Sequence, residues 1–174
     1  MRFVPRVIIA IVGLVVLAGT ASAQVSAGLN ELGGRGSFSA GKFGSEEKNL
    51  TSVEGNVYFG RFLTDRWEIG PSLNFDKTQG EEFTGNATAF VDYHFGDTTG
   101  KAVPFVEAAV GKFFGGDKGT ILSVGPGLKW FFAGGGGSLV AFPYYRRVMY
   151  DESTVGYATR NEFAFSLGVA IYFP

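Results

Sequence analysis

Apolar and polar side chains alternate along most of this chain, and that alternation restricts its possible folds more than any other feature. A period of two is the side-chain repeat of a β-strand. It is clearest near the carboxyl end, where Phe163, Phe165 and Leu167 share one face and Glu162 and Ser166 lie on the other. After residue 24 no stretch has a convincing helical period. The sequence therefore predicts an all-β protein.

Eight such stretches can be distinguished, separated by segments rich in Gly, Asp and Thr that are typical of turns. The predicted strands are residues 30–40, 51–63, 67–76, 84–95, 103–114, 121–132, 139–150 and 157–173. Most have 10 to 12 residues, which matches the roughly 9–11 of a membrane-spanning strand better than the roughly 5–6 of an average soluble one. An eight-stranded antiparallel up-and-down transmembrane β-barrel is the simplest arrangement.

Composition excludes several other classes of protein. The 174 residues include 27 Gly, 18 Phe and no Cys, so neither a disulfide framework nor a cysteine metal site is possible. The formal net charge is −1, which gives no basic surface for nucleic acid. The expected partners therefore do not include nucleic acid.

The first 23 residues have the pattern of a cleaved signal peptide. Arg2 and Arg6 precede an apolar run over residues 7–18, and Ala21-Ser22-Ala23 is a typical cleavage site. The run has 12 residues, whereas a membrane-spanning helix needs about 20. We predict a signal peptide over residues 1–23 and a single barrel domain over residues 24–174.

Charged residues recur on one face of the predicted strands and form the candidate interior. A membrane barrel directs apolar residues to lipid and polar ones to its lumen, whereas a soluble lipocalin-like barrel does the reverse. The expected lumen charges are Glu31, Arg35, Glu54, Glu68, Asp92, Glu107, Lys129, Arg160 and Glu162, with one of Arg146 or Arg147. The seventh strand carries an arginine on each face, so we expect a bulge there or an arginine near a rim.

Aromatic residues favour the membrane alternative, because they fall near both sets of strand ends, as interfacial girdles do. One predicted band comprises Phe62, Trp67, Tyr93, Phe95, Phe105, Trp130 and Phe132. The other comprises Phe43, Phe75, Phe83, Phe114, Tyr150 and Tyr157. Lys112 lies on the apolar face of the fifth strand, where it is expected to extend toward the interface.

The final strand resembles the assembly signal of outer-membrane proteins, in which a polar residue, a glycine, a hydrophobic residue and an aromatic residue recur at fixed spacing. Ser166, Gly168, Ile171 and Phe173 occupy those four places. Together with the signal peptide and eight long strands, this motif makes the chain resemble small outer-membrane barrels of the OmpX and OmpA-transmembrane type. The resemblance implies a Gram-negative outer membrane, contact with its lipid and lipopolysaccharide, and recognition by periplasmic chaperones and the barrel-assembly machinery.

Two local patterns could indicate chemistry, but both are weak. Residues 36–42 mimic the start of a phosphate-binding loop, yet Phe43 occupies the place of the required Ser or Thr. His94 is the sole histidine, with no serine beside it for a catalytic triad of a lipid-modifying enzyme and too few partners for an expected metal site. We interpret His94 as an interior residue hydrogen-bonded to Asp92 or another lumen group. No cofactor and no enzymatic activity are expected.

The function expected from these features is membrane integrity or surface interaction by a monomer with a filled lumen. A barrel of eight strands is just wide enough for side chains to fill it. A narrow channel for ions or small solutes is the main alternative, and adhesion is another. Acidic residues in the longer connections could bind divalent cations at the lipopolysaccharide surface. They are Glu46, Glu47, Glu81, Glu82, Asp117, Asp151 and Glu152.

Overall fold

The computed structural model describes residues 25–43, 49–78, 83–114, 119–132, 135–150 and 159–174. Its eight strands are β1 (Asn30–Phe43), β2 (Asn49–Phe62), β3 (Trp67–Thr78), β4 (Phe83–His94), β5 (Ala102–Phe114), β6 (Gly119–Phe131), β7 (Gly137–Tyr150) and β8 (Thr159–Phe173). Every predicted strand is present, with bounds that differ by a few residues. The predicted signal peptide and the seven acidic residues of the longer connections lie outside the described residues.

The strands form a closed barrel in sequence order, with each strand antiparallel to its neighbours and β8 paired to β1. Closure leaves no free sheet edge, which a lipid environment could not satisfy. The end that carries the β2–β3, β4–β5 and β6–β7 connections is called the turn end, and the opposite end is called the loop end. The predicted all-antiparallel up-and-down barrel is confirmed.

The distribution of side chains is inverted relative to that of a soluble protein. Large apolar residues such as Val53, Leu73 and Leu167 are exposed on the outer surface, while charged residues are buried inside. Trp67 and Trp130 are exposed near the turn end, and Phe83 is exposed near the loop end. An outer surface of this kind suits lipid and would be unfavourable in water.

Three residues assigned to the outer aromatic bands face the interior of the barrel instead, and one of them, Tyr150, lines the small cavity near the loop end. Phe62 and Phe105 are each 1% exposed. Phe62 shares the side of its strand with Glu54 and Tyr58, so the alternation directs it inward whatever its distance from the strand end. Tyr157 and the side chain of Phe43 lie outside the described residues.

Of the two alternatives expected for β7, a bulge is not present, and an arginine near a rim is what the structure has. Its pairing with β8 keeps one offset from Gly137↔Ile171 to Met149↔Thr159. Its pairs with β6 have one offset on both sides of an interruption at residues 142–144. Arg146 therefore faces inward and Arg147 faces outward, three residues before the strand ends. The inner face of β7 is largely apolar and aromatic, so the rule of polar residues inside does not hold for this strand.

The turn end of the lumen is closed by an apolar layer. Val25 and Leu29, which precede β1, pack in one cluster with Phe62, Phe105 and Tyr172. The backbone of Phe62 exchanges hydrogen bonds with Gly28 and Leu29, which fixes this segment under the barrel. The layer separates the interior charges from the solvent on that side.

Interior glycines make room for these large side chains. A Cβ atom at Gly127 would overlap the ring of Phe105, which in turn stacks on Phe142 with a centroid separation of 5.9 Å. We expect Gly127→Ala to lower the free energy of unfolding by about 1–3 kcal/mol, because overpacking forces a buried ring out of place. Urea unfolding of the barrel in lipid vesicles measures the effect.

Gly55→Ala is the matched control for that substitution, since a Cβ atom at Gly55 would meet nothing within 4 Å. It should leave stability unchanged within about 0.5 kcal/mol. If the two substitutions changed the free energy of unfolding equally, the change would come from the strand propensity of alanine and not from interior packing.

Candidate functional site

All nine charged residues predicted for the lumen have buried side chains that point into the barrel. Their exposed fractions range from 0% to 8%. Direct ion pairs arrange them in three groups, which follow one another from the turn end to the loop end. The nine are Glu31, Arg35, Glu54, Glu68, Asp92, Glu107, Lys129, Arg160 and Glu162.

The turn-end cluster consists of Glu31, Glu68, Asp92, His94 and Lys129. The ammonium group of Lys129 donates to Oε2 of Glu31 and to Oε2 of Glu68, each at 2.6 Å. Oδ2 of Asp92 lies 3.8 Å from the same nitrogen. One buried cation therefore faces three carboxylates directly above the apolar layer, and its loss would leave them unpaired.

Strand register brings carboxylates on adjacent strands directly opposite one another. Glu68 pairs with Asp92 across β3 and β4, and Asp92 pairs with Glu107 across β4 and β5. Like charges in such positions are destabilising. The barrel offsets this repulsion with cations from distant strands, Lys129 of β6 and Arg35 of β1.

The middle group is the ion pair of Arg35 and Glu107, whose Nη1 and Oε2 atoms are 2.7 Å apart. The guanidinium of Arg35 also lies 4.5 Å from the ring centre of Tyr58 and 5.0 Å from that of Phe142. Stacking on two aromatic faces favours a planar, delocalised cation. This arrangement fills the centre of the lumen with closely packed side chains.

The loop-end cluster consists of Glu54, Asp76, Arg146, Arg160 and Glu162. Arg146 forms ion pairs with Glu54 and Glu162, and its Nη2 atom lies 3.7 Å from Oδ2 of Asp76. Arg160 pairs with the other oxygen of Glu162 at 2.6 Å. This cluster closes the lumen on the side opposite the apolar layer.

Neutral polar side chains occupy the space between the charged groups. Asn56, Asn74 and Asn86 form a chain of side-chain hydrogen bonds at 2.6 and 2.8 Å, and Ser72 bonds Thr88 beside it. A cavity of about 40 Å³ lies along this chain, and another of about 20 Å³ lies near Arg160. Spaces of this size have room for about one to three water molecules.

Several interior residues were absent from the predicted set. Asp76 belongs to the loop-end cluster, and Tyr58 donates to Oε1 of Glu31 at 2.7 Å. The alternation of side chains along each strand is the signal that identifies them, because Asp76 shares a face of β3 with Glu68, and Tyr58 shares a face of β2 with Glu54. An aromatic residue on a polar face was not recognised as part of the interior.

His94 occupies the turn end of β4 and is fully buried. Its Nδ1 atom lies 3.2 Å from the carbonyl oxygen of Arg66, and its Nε2 atom lies 3.7 Å from Oε2 of Glu68. The interior placement agrees with the sequence, but the hydrogen-bond partner is the Arg66 backbone and not Asp92. In the described part of the chain, no serine hydroxyl is hydrogen-bonded to the ring.

The remaining sequence motifs lie in regular strands. Residues 36–42 belong to β1 and are extended, so they do not form a phosphate-binding loop. Ser166, Gly168, Ile171 and Phe173 lie on β8, which closes the barrel against β1. Ser166 donates to the carbonyl of Phe142 at 3.2 Å, and a Cβ atom at Gly168 would collide with Gly34 and Arg35.

Lys112 and Arg147 are exposed on the outer surface near the loop end. They lie on β5 and β7, on either side of β6. Arg147 also borders an outer groove of about 570 Å³ lined by small and apolar side chains such as Ala108 and Leu122. Within the described residues, no helix is both long enough and apolar enough to cross a membrane.

Comparison with known proteins identifies the fold. No family model matches the sequence, and no curated protein matches it. Neisserial surface protein A aligns with a TM-score of 0.66 and 14% identity, over 84% of this chain and 98% of that one. The amino-terminal β-barrel domain of Pseudomonas aeruginosa OprF gives 0.57 and 19%, over 84% and 98%.

The outer-membrane protein OprG of Pseudomonas aeruginosa is a third similar structure, with a TM-score of 0.53 and 11% identity, over 88% of this chain and 99% of that one. Each neighbour is covered almost completely, so the likeness extends over the whole barrel and not over a few strands. At these identities the comparison establishes fold alone. The chain has the fold of the small eight-stranded outer-membrane β-barrels.

Proposed function

We propose that this chain is a non-enzymatic barrel of the Gram-negative outer membrane, with a lumen filled by side chains, that supports the integrity of that membrane. The observation that carries the proposal is the closure of the turn end. Phe62, Phe105 and Lys129 are each 1% exposed there, and the ammonium group of Lys129 lies 5.3 Å and 5.2 Å from the two ring centres. Because a lumen closed in this way does not conduct solutes, the function would be carried by the lipid-facing surface and the connections.

The experiment compares cells that lack this chain with cells that regain it from a plasmid. We expect the deletion to increase sensitivity to detergents and large antibiotics, and the plasmid copy to restore resistance, while uptake of small hydrophilic solutes stays constant. A deletion that slows solute uptake without weakening the barrier would overturn the proposal in favour of a narrow channel. Membrane fractionation of the same cells tests the proposed location.

We further propose that outer-leaflet lipid binds the surface around Lys112 and Arg147. Both side chains are exposed near the loop end, at the height where lipopolysaccharide carries its phosphates if that end faces outward. Cations on the lipid side of a barrel are otherwise unfavourable, so a bound phosphate gives them a partner. The groove beside Arg147 offers apolar walls to an acyl chain.

Replacing both cations with glutamine tests this contact. We expect the Lys112→Gln, Arg147→Gln protein to lose most of the rise in melting temperature that lipopolysaccharide gives the parent protein, and to respond normally to zwitterionic phospholipid. Lys101→Gln, at the opposite end of the barrel, is the control. An unchanged response of the double variant to lipopolysaccharide would show that phosphate binds elsewhere.

A further inference from the structure

Three potential metal ligands converge at the turn end of the lumen. One ligand atom from each of Glu68, Asp92 and His94 lies within 4.8 Å of the others. All three side chains are at most 3% exposed. The residues come from adjacent strands, where the register places Glu68 opposite Asp92 and the alternation of β4 puts His94 on the same face as Asp92.

Each of these side chains has a polar atom without a hydrogen-bond partner. The atoms are Oε1 of Glu68, Oδ1 of Asp92 and Nε2 of His94. Unsatisfied buried polar atoms are rare in folded proteins and costly in free energy. Of these atoms, Nε2 of His94 is directed into the group, 3.7 Å from Oε2 of Glu68, so a ligand bound there would give this buried nitrogen a partner.

The orientation of His94 indicates what kind of ligand this is. Its Nδ1 atom is 3.2 Å from the carbonyl oxygen of Arg66, so Nδ1 carries the proton and donates it there. Nε2 then presents a lone pair toward Glu68, which cannot donate to it when ionised. A ring that is held by a backbone carbonyl at one nitrogen and free at the other is the usual arrangement of a metal-binding histidine.

The charge balance of the turn-end cluster also favours a bound metal cation. In the turn-end cluster, Glu31, Glu68 and Asp92 face the single ammonium group of Lys129. Two negative charges therefore remain uncompensated when all three carboxyl groups are ionised, and a divalent cation would balance them. Oε2 of Glu68, which accepts from Lys129, is also the oxygen 3.7 Å from Nε2 of His94, so this carboxylate would bridge the ammonium group and the bound cation.

We propose that Glu68, Asp92 and His94 bind a divalent transition metal ion, for which Zn²⁺ is the best fit. One imidazole and two carboxylates suit zinc, whereas magnesium prefers oxygen ligands alone and retains its water. Bonds of about 2.0–2.2 Å place tetrahedral ligands about 3.4 Å apart, so the three side chains must move inward from separations of up to 4.8 Å. Water completes the tetrahedron. This inference does not depend on the proposed role in membrane integrity.

The test uses the fact that His94 is the only histidine of the chain. The protein is purified from outer membranes without a histidine tag, labelled at the imidazole nitrogens, treated with chelator and titrated with Zn²⁺ in detergent. We expect saturation at one ion per barrel, with a large shift of the Nε2 resonance and a small shift of Nδ1. An Nε2 resonance that does not move would overturn the proposal, as would an equal response to Mg²⁺.

Variants connect the binding to the named ligands. His94→Gln and Glu68→Gln should each weaken Zn²⁺ binding by about 100-fold or more, since even the loss of a group that merely orients a ligand costs about 10–100-fold. Glu162→Gln, an equally buried carboxylate of the loop-end cluster, should bind as the parent does. Folding of each variant is checked by its heat-modifiable mobility on gels. Parental affinity in folded His94→Gln would overturn the assignment, and the titration of the unaltered protein remains decisive if a variant does not fold.

Discussion

Replacing Lys129 with methionine is expected to destabilise the barrel by about 3–5 kcal/mol, the range seen when one partner of a buried ion pair is removed. Lys129 is 1% exposed and its ammonium group is the shared partner of Glu31 and Glu68. Methionine preserves much of the volume between the Phe62 and Phe105 rings, so the loss reports charge and not a cavity. The measurement is urea unfolding in lipid vesicles, followed by tryptophan fluorescence.

Two further variants identify the origin of that loss. Lys101→Met removes a cation that is exposed at the turn end, and it should change stability by no more than about 0.5 kcal/mol. Adding Glu31→Gln and Glu68→Gln to Lys129→Met should recover part of the stability, because the carboxylates no longer repel each other. An unfolding midpoint of Lys129→Met equal to that of the parent would contradict the role assigned to the turn-end cluster.

The second large effect concerns the outer surface. Leu167→Arg is expected to cost about 2–4 kcal/mol in a lipid bilayer, the value for arginine at the midplane of a membrane barrel. Leu167 is 58% exposed and lies in the middle of β8, between the inward-facing residues Ser166 and Gly168 in sequence. Equilibrium unfolding in vesicles measures the cost, and failure to insert is its extreme form.

Leu139→Arg is the control for depth in the bilayer, because it places the same side chain near the interface. Leu139 is 51% exposed and lies near the turn-end limit of β7, beside Trp130 of β6. Near an interface the same substitution costs only about 0–1 kcal/mol. In a soluble barrel neither position would penalise arginine, so equal and small effects at Leu167 and Leu139 would contradict the membrane placement.

Strand number, order and most of the side-chain directions could be predicted from the sequence, because a period of two is imposed by the geometry of each strand alone. The same alternation placed all nine predicted charges inside. The predicted side-chain directions are wrong where residue type was given priority over the alternation. Phe62 and Phe105 were assigned outward because they are aromatic and near strand ends, yet the alternation directs them inward, where they form part of the layer under Lys129.

The contacts within the lumen could not be predicted in the same way. They depend on register around a closed barrel, which brings Lys129 of β6 against Glu31 of β1 and Glu68 of β3. The group of Glu68, Asp92 and His94 was missed for this reason, since its members lie on two strands and only one is a histidine. In β7, two consecutive arginines obscured the alternation that the register makes plain.

Single-channel conductance of the purified protein in a planar bilayer tests the central claim, a lumen closed by its own side chains. Insertion is verified independently by heat-modifiable mobility and by protection from protease. We expect a silent membrane, because Lys129 and the apolar layer close the turn end while Arg146 and its carboxylates close the loop end. Stable, reproducible conductance steps from the unaltered protein would contradict this account and identify the chain as a narrow channel.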